Sequence, residues 1–191
     1  IFPGYHNNPQ ANAETFDSDG WFHTGDIATI DADGFVRIVD RKKDLIITAA
    51  GKNIGPQAVE NTIKSATPLI SQVCVYGDRK PYLVALVTLD EAAVAAWALE
   101  HALTYGDVRE VYANPTLRAV LDERIAAANK QLASYETVKY YEVLPEDFTV
   151  ENDLLTPTLK IRRRLIYQRY HDRFEALYRP APAEVSPHAG S

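Results

Sequence analysis

Two runs of β-branched and apolar residues, 70–76 and 82–89, flank Gly77-Asp78-Arg79-Lys80-Pro81, and no other feature so narrows what this chain can fold into. The five intervening residues favour turns, so the runs read as the two arms of a hairpin. Arms this apolar need cover, which suggests a sheet packed on helices. The neighbouring sequence offers it. Pro56 suits a first helical turn, where its missing N–H would be unpaired anyway, and Val59, Ile63 and Ala66 then share one face. From Glu91 to His101 and from Pro115 to Leu132 the pattern is again helical, with Leu117, Val120, Leu121, Ile125 and Ala128 spaced as one buried stripe. Val138 to Leu144 returns to a strand, and Glu146-Asp147-Phe148 opens a loop. A last helix from about Arg162 aligns Ile166, Tyr170, Phe174 and Leu177. This order predicts a small mixed sheet-and-helix α+β domain over residues 45–178. Beyond Tyr178 the periodicity stops and Pro and Ala accumulate, so residues 179–191 read as a disordered tail.

The first forty residues read differently. Asn7 to Asp19 lacks any period and is rich in Asn, Asp, Pro and Ser, which predicts a loop. Ile27 to Ile30 and Phe35 to Val39 form a hairpin around Asp31-Ala32-Asp33-Gly34, a turn in which Gly34 can take positive φ. Segments below ~40 residues rarely hold a core of their own. Residues 1–40 are therefore expected to be the end of an upstream domain, and the chain a fragment of a longer protein. A charged cluster at 40–44 leads into a strand, Leu45 to Thr48, and a loop, Ala49 to Asn53.

The net charge of −6 argues against a general nucleic-acid binder, whose affinity comes from Lys and Arg neutralising phosphates. Cys74 is the single cysteine, so no internal disulfide can form, and Val73-Cys74-Val75-Tyr76 reads as a buried strand. No apolar run approaches the ~20 residues of a membrane span, and no cleavable leader opens the chain. A reducing, cytoplasmic setting is the expectation, with peripheral membrane contact left open.

Three short segments carry chemistry. Thr24-Gly25-Asp26 places a two-oxygen acceptor at a strand start, suited to accepting hydrogen bonds from vicinal ribose hydroxyls. Read locally, Asp26 serves equally well as a cap on turn amides. Arg41 offers a planar donor to the same hydroxyls or a phosphate, or else a surface ion pair with Asp40 or Asp44. Lys160, in Leu155-Thr156-Pro157-Thr158-Leu159-Lys160, either delivers a positioned ammonium or merely begins a solvated basic helix with Arg162, Arg163 and Arg164. Pro157 favours an extended approach that would fix where Lys160 points, and the three arginines read as surface charge.

Taken in order, Gly20 to Asp26, Asp33-Gly34-Phe35, Ile38 to Ile46, the Gly51-Lys52-Asn53-Ile54 loop with Pro56 and Glu60, and Leu155 to Lys160 resemble the adenylate-forming family of acyl-CoA synthetases, peptide-synthetase adenylation domains and luciferases. The resemblance spans Gly4 to Tyr178. The segment 91–132, the 48–53 loop and the 155–160 ending look most like the long-chain fatty-acid synthetases. The resemblance implies the C-terminal domain of the adenylate-forming fold, preceded by a hairpin from the end of the large N-terminal domain. It implies ATP, Mg²⁺ and CoA as co-reactants and a fatty acid as substrate. Asp26 and Arg41 match the residues that bind the ATP ribose, and Lys43 matches the hinge, placed at 41–44, about which the small domain rotates. Lys160 matches the lysine bridging the substrate carboxylate and the α-phosphate. Gly51 matches the loop glycine that leaves room for pantetheine. His23 is not expected to act as a base, since thiol attack on a mixed anhydride does not demand one. No phosphate loop, acyl pocket or Mg²⁺ carboxylate set stands in this chain, so these belong to the missing N-terminal domain and the fragment alone is expected to be inactive. Two other readings stay open, a binding or docking module derived from the fold and a ligase for another carboxylic acid.

Overall fold

The computed structural model describes residues 2–178; the tail expected at 179–191 lies outside them. The chain divides between Leu45 and Ile46 into two compact units.

The first unit begins with a helix, α1 (Pro9–Thr15), where the sequence predicts a loop. Pro9 occupies its first turn and the Asn8 side chain accepts the Ala11 N–H at 3.0 Å. None of its residues is buried, so it leaves no apolar stripe for a periodicity argument to find. Beside it, Phe2, Phe16 and Phe22 pack edge to face, their ring centroids 5.3–5.7 Å apart. The expected hairpin follows as β1 (Asp26–Ile30) and β2 (Val36–Arg41), antiparallel, with Asp26 opposite Arg41 at its open end. Asp31 closes the turn, its carboxylate accepting the N–H groups of Asp33 and Phe35. One 3-10 turn, Lys42–Asp44, ends the unit.

The second unit opens with a two-residue ladder, β3 (Ile46–Ile47) against β4 (Asn53–Ile54), and then α2 (Pro56–Lys64). Its centre is a three-stranded sheet in the order β5 (Ile70–Tyr76), β6 (Leu83–Leu89), β7 (Val138–Val143). The β5–β6 pair is antiparallel, as the hairpin requires, whereas β7 runs parallel to β6. A parallel return needs a crossover, and α3 (Glu91–Glu100), α4 (Val108–Val111) and α5 (Pro115–Asn129) supply it. Alternation along β6 sends Leu83, Ala85 and Val87 into a core with α2, α3 and α5, and Val84 and Leu86 into a second core with Ile166 and Phe174. With both faces covered, all seven β6 residues are buried, hence the unbroken apolar run in the sequence.

The last helix is broken rather than continuous. It splits at Tyr170 (φ −114°, ψ 22°) into α6 (Arg163–Arg169) and α7 (His171–Ala176). The break turns the chain from β5 to β6, and Ile166 and Phe174 both end fully buried. The short α4 has no counterpart in the sequence pattern; Asp107 caps it, and its own Val108 and Val111 are buried.

Candidate functional site

Asp26 and Arg41 are register partners, so hairpin pairing itself brings their side chains together, with Arg41 Nε 3.0 Å from Asp26 Oδ1. An ion pair thus forms across the hairpin, between Arg41 and Asp26. Thr24 Oγ1 accepts the Asp26 N–H at 3.1 Å, and the Gly25 carbonyl accepts the Lys42 N–H at 2.7 Å. Asp40 is buried and its Oδ1 accepts the Arg41 N–H at 2.7 Å. The open end of the hairpin is thus fixed by backbone on both strands, while Arg41 keeps half its side chain exposed. Lys43 is exposed in the 3-10 turn, two residues before the boundary between the units. His23 lies near Asp17, its Nε2 3.4 Å from the carboxylate, on the surface.

In the second unit Gly51 sits in a loop closed by Thr48. The Thr48 carbonyl accepts the Gly51 N–H at 2.8 Å, and Thr48 Oγ1 accepts the Lys52 N–H at 3.1 Å. Gly51 has φ +74°, and a Cβ there would meet nothing within 4 Å. In this conformation the glycine answers a backbone requirement before any steric one. The loop is clasped by the β5–β6 turn. Asp78 Oδ1 accepts the Ile47 N–H at 3.1 Å, Arg79 N–H donates to the Ile47 carbonyl at 2.7 Å, and Ala49 N–H donates to the Lys80 carbonyl at 3.0 Å.

Lys160 ends a tight turn rather than an extended approach. Thr156 organises it: its N–H donates to the Lys160 carbonyl at 2.8 Å, its carbonyl accepts the Leu159 N–H at 2.8 Å, and its Oγ1 accepts the Lys160 N–H at 3.1 Å. A bridge between Leu155 and Ile161 closes the stem. Lys160 is exposed, and its ammonium makes no ion pair among the described residues.

The three arginines that follow have three different settings. Arg162 pairs with Asp153 at 3.2 Å on the surface, and Arg164 is exposed. Arg163, expected as surface charge, is instead mostly covered and forms a bidentate pair with the buried Glu60, its Nη2 2.8 Å from Oε2 and its Nη1 on Oε1. Burial weakens the guanidinium's hold on its proton, but the hydrogen bonds and charge of Glu60 outweigh that and keep it above its ordinary range. Beside it, burial and then the charge of Glu60 push the Cys74 thiol up. A signal for this pair did exist: Glu60 falls among the buried positions Val59 and Ile63 of α2, and a buried carboxylate needs a partner.

Asp26, Arg41 and Lys43 therefore belong to the first unit, Gly51 and Lys160 to the second. A cleft of about 1160 Å³, lined in part by Asp90, Asp107, Arg109 and Asp147, includes none of them. Among the described residues no cluster of three His, Cys, Asp or Glu is placed to hold a metal ion, and no helix is long and apolar enough to cross a membrane.

Residues 43–182 match the sequence model of the AMP-binding enzyme C-terminal domain. The chain belongs to the AMP-binding enzyme family. Within that family it is 40% identical over 179 residues to the long-chain-fatty-acid–CoA ligase FadD15 of Mycobacterium tuberculosis, covering 93% of this chain and 30% of the relative. Among solved structures it resembles the adenylation domain of a carboxylate reductase from Mycobacterium chelonae, with TM-score 0.77 and 29% identity over 93% of this chain and 26% of the other. It also resembles the A domain of the Segniliparus rugosus carboxylic acid reductase, solved with AMP and a co-purified carboxylic acid (TM-score 0.74, 29% identity, 93% and 26% coverage). The chain thus spans under a third of the length of these AMP-binding relatives. Its α+β fold is that of the C-terminal domain of the adenylate-forming enzymes, as the sequence resemblance implied.

Proposed function

We propose that this chain is the C-terminal portion of an AMP-forming fatty acyl-CoA ligase acting in a cytoplasmic setting. The first half-reaction joins a fatty-acid carboxylate to the ATP α-phosphate and releases pyrophosphate. The second transfers the acyl group from acyl-AMP to the CoA thiol, releasing AMP and a proton. Asp26 accepts hydrogen bonds from the ribose hydroxyls, and Arg41 holds Asp26 in place and donates alongside it. Lys160 sets its ammonium between the two anions that must meet in adenylation, where a positioned charge is worth about 2–4 kcal/mol. Rotation about Lys43 then withdraws Lys160 and brings the Gly51 loop to the thiol channel. Mg²⁺, the triphosphate and the acyl chain are held by the N-terminal domain that this reading supplies upstream.

The observation that carries the proposal is the Thr156–Lys160 turn, a closed scaffold offering an exposed ammonium with no ion-pair partner among the described residues. In the complete enzyme, Lys160→Ala should lower ATP–pyrophosphate exchange about 10²–10³-fold. Thioester formation from supplied acyl-adenylate should stay within a few-fold of wild type. Equal loss in both half-reactions would sink the assignment. This chain by itself should give no exchange. Because both solved structures described above are carboxylate reductase A domains, a second reading has the adenylate feed a different acceptor. CoA-dependent AMP release across fatty-acid lengths separates the two.

A further inference from the structure

The Lys160 turn is closed by its own hydrogen bonds, so where it presents the lysine depends on how its stem is fastened to the sheet. On one side Leu154 and Leu155 are buried. On the other, the Arg162 N–H donates to the Leu154 carbonyl at 2.8 Å, and α6 begins at Arg163, three residues beyond Lys160. The Arg163 fork grips both oxygens of Glu60, with only 13% and 8% of the two side chains exposed. Glu60 is itself held, since its Oε1 accepts the Val75 N–H at 2.9 Å. A short path therefore runs from the backbone of β5 through Glu60 and Arg163 to Lys160.

We infer that Arg163, clamped by Glu60, is the positioning residue for Lys160. The inference rests on the adenylation role proposed above for Lys160. Stability is a weak reason for such a pair, because apolar residues of similar volume commonly serve as well or better. What a bidentate fork adds is one fixed orientation. The neighbouring arginines offer nothing equivalent: Arg162 holds an exposed partner by one nitrogen, and Arg164 has no ion pair among the described residues. Orientation matters here because a misplacement of about 1 Å at a reacting centre can cost on the order of 10²-fold in rate.

The test is Arg163→Lys in the complete ligase, which keeps the charge but loses the fork. Adenylation turnover should fall about tenfold, with KM for ATP and fatty acid, and thioester formation from supplied acyl-adenylate, each within about twofold of wild type. A merely structural role would lower both half-reactions in proportion to the folded fraction, and that result, or no change in either, overturns the inference. If Arg163→Lys does not fold, Glu60→Gln carries the same comparison with the same two outcomes, since the amide oxygen can still accept from Val75. Lys160→Ala is measured alongside. If it fails to separate the half-reactions, the role of Lys160 falls and this inference with it. If it separates them and the clamp variants do not, the clamp alone is refuted.

Discussion

Gly51 combines two demands that usually coincide, and substitution can pull them apart. Its φ of +74° lies in the left-handed region, yet a Cβ added there meets nothing within 4 Å. Gly51→Ala therefore carries no clash in this conformation, and its cost is the backbone strain of a non-glycine residue, about 1–2 kcal/mol. For a chain of 191 residues that corresponds to a drop in Tm of about 2–8 °C, read by thermal unfolding followed by circular dichroism. Asparagine adopts positive φ more readily, so Gly51→Asn should cost about half as much although its side chain is larger. Thioester formation should rank the variants the other way. If the loop faces the thiol channel, bulk matters there, and Asn should slow acyl transfer more than Ala. Stability then runs Gly, Asn, Ala, while transfer runs Gly, Ala, Asn. Ala more stable than Asn would refute the backbone argument, and Asn transferring as fast as Gly would refute the channel role.

Two other perturbations address the proposed pivot at Lys43 and the acid response. Lys43→Pro fixes φ in the 3-10 turn before the unit boundary, and should leave adenylation near wild type while lowering thioester formation at least about tenfold. Survival of both steps would show the pivot to be elsewhere. Asp107 caps α4, and hydrogen bonds from the Arg109 side chain and backbone hold its carboxyl down to about 2. A depressed carboxyl contributes its stability in full above the unfolded value near 4 and loses it as pH falls toward 2. The Tm difference between wild type and Asp107→Asn, measured from pH 5 to pH 2, should accordingly shrink on acidification. A difference that is constant over that range would assign the stabilisation to capping geometry alone.

Much of this architecture could be read from residue order because its elements carry strong, local periodicity. The β5–β6 hairpin, α2 and α5 each bury a regular set of side chains, and such sets leave their period in the sequence. What escaped has physical reasons. The α1 helix buries nothing, so only its cap, Asn8 with Pro9, marks it. The break at Tyr170 falls within an apolar stripe that continues across it, from Ile166 to Phe174, so the pattern cannot distinguish one helix from two. The parallel return of β7 is set by packing across a long crossover. At the candidate site, Asp26 and Arg41 were legible because hairpin register places them opposite each other. The Arg163 pair is not legible locally because its partner Glu60 lies 103 residues away, and within a run of three arginines nothing local singles out the one that is paired inside. For the mount of Lys160 the sequence points to Pro157, whereas Thr156 makes the hydrogen bonds that close the turn.

The lone sulfur of this chain has a practical consequence. Cys74 is fully buried beneath the Arg163–Glu60 pair, and a thiol whose ionisation is pushed up by burial is a poor nucleophile toward maleimides and other labelling reagents. The chain is in effect silent to thiol chemistry without any engineering. A cysteine introduced on each unit, for example at Thr29 and Arg164, would be the only reactive pair on these two units. Spin or fluorescent labels at those sites in the complete protein would test directly whether the distance between hairpin and sheet domain changes during turnover, as the proposed rotation about Lys43 requires.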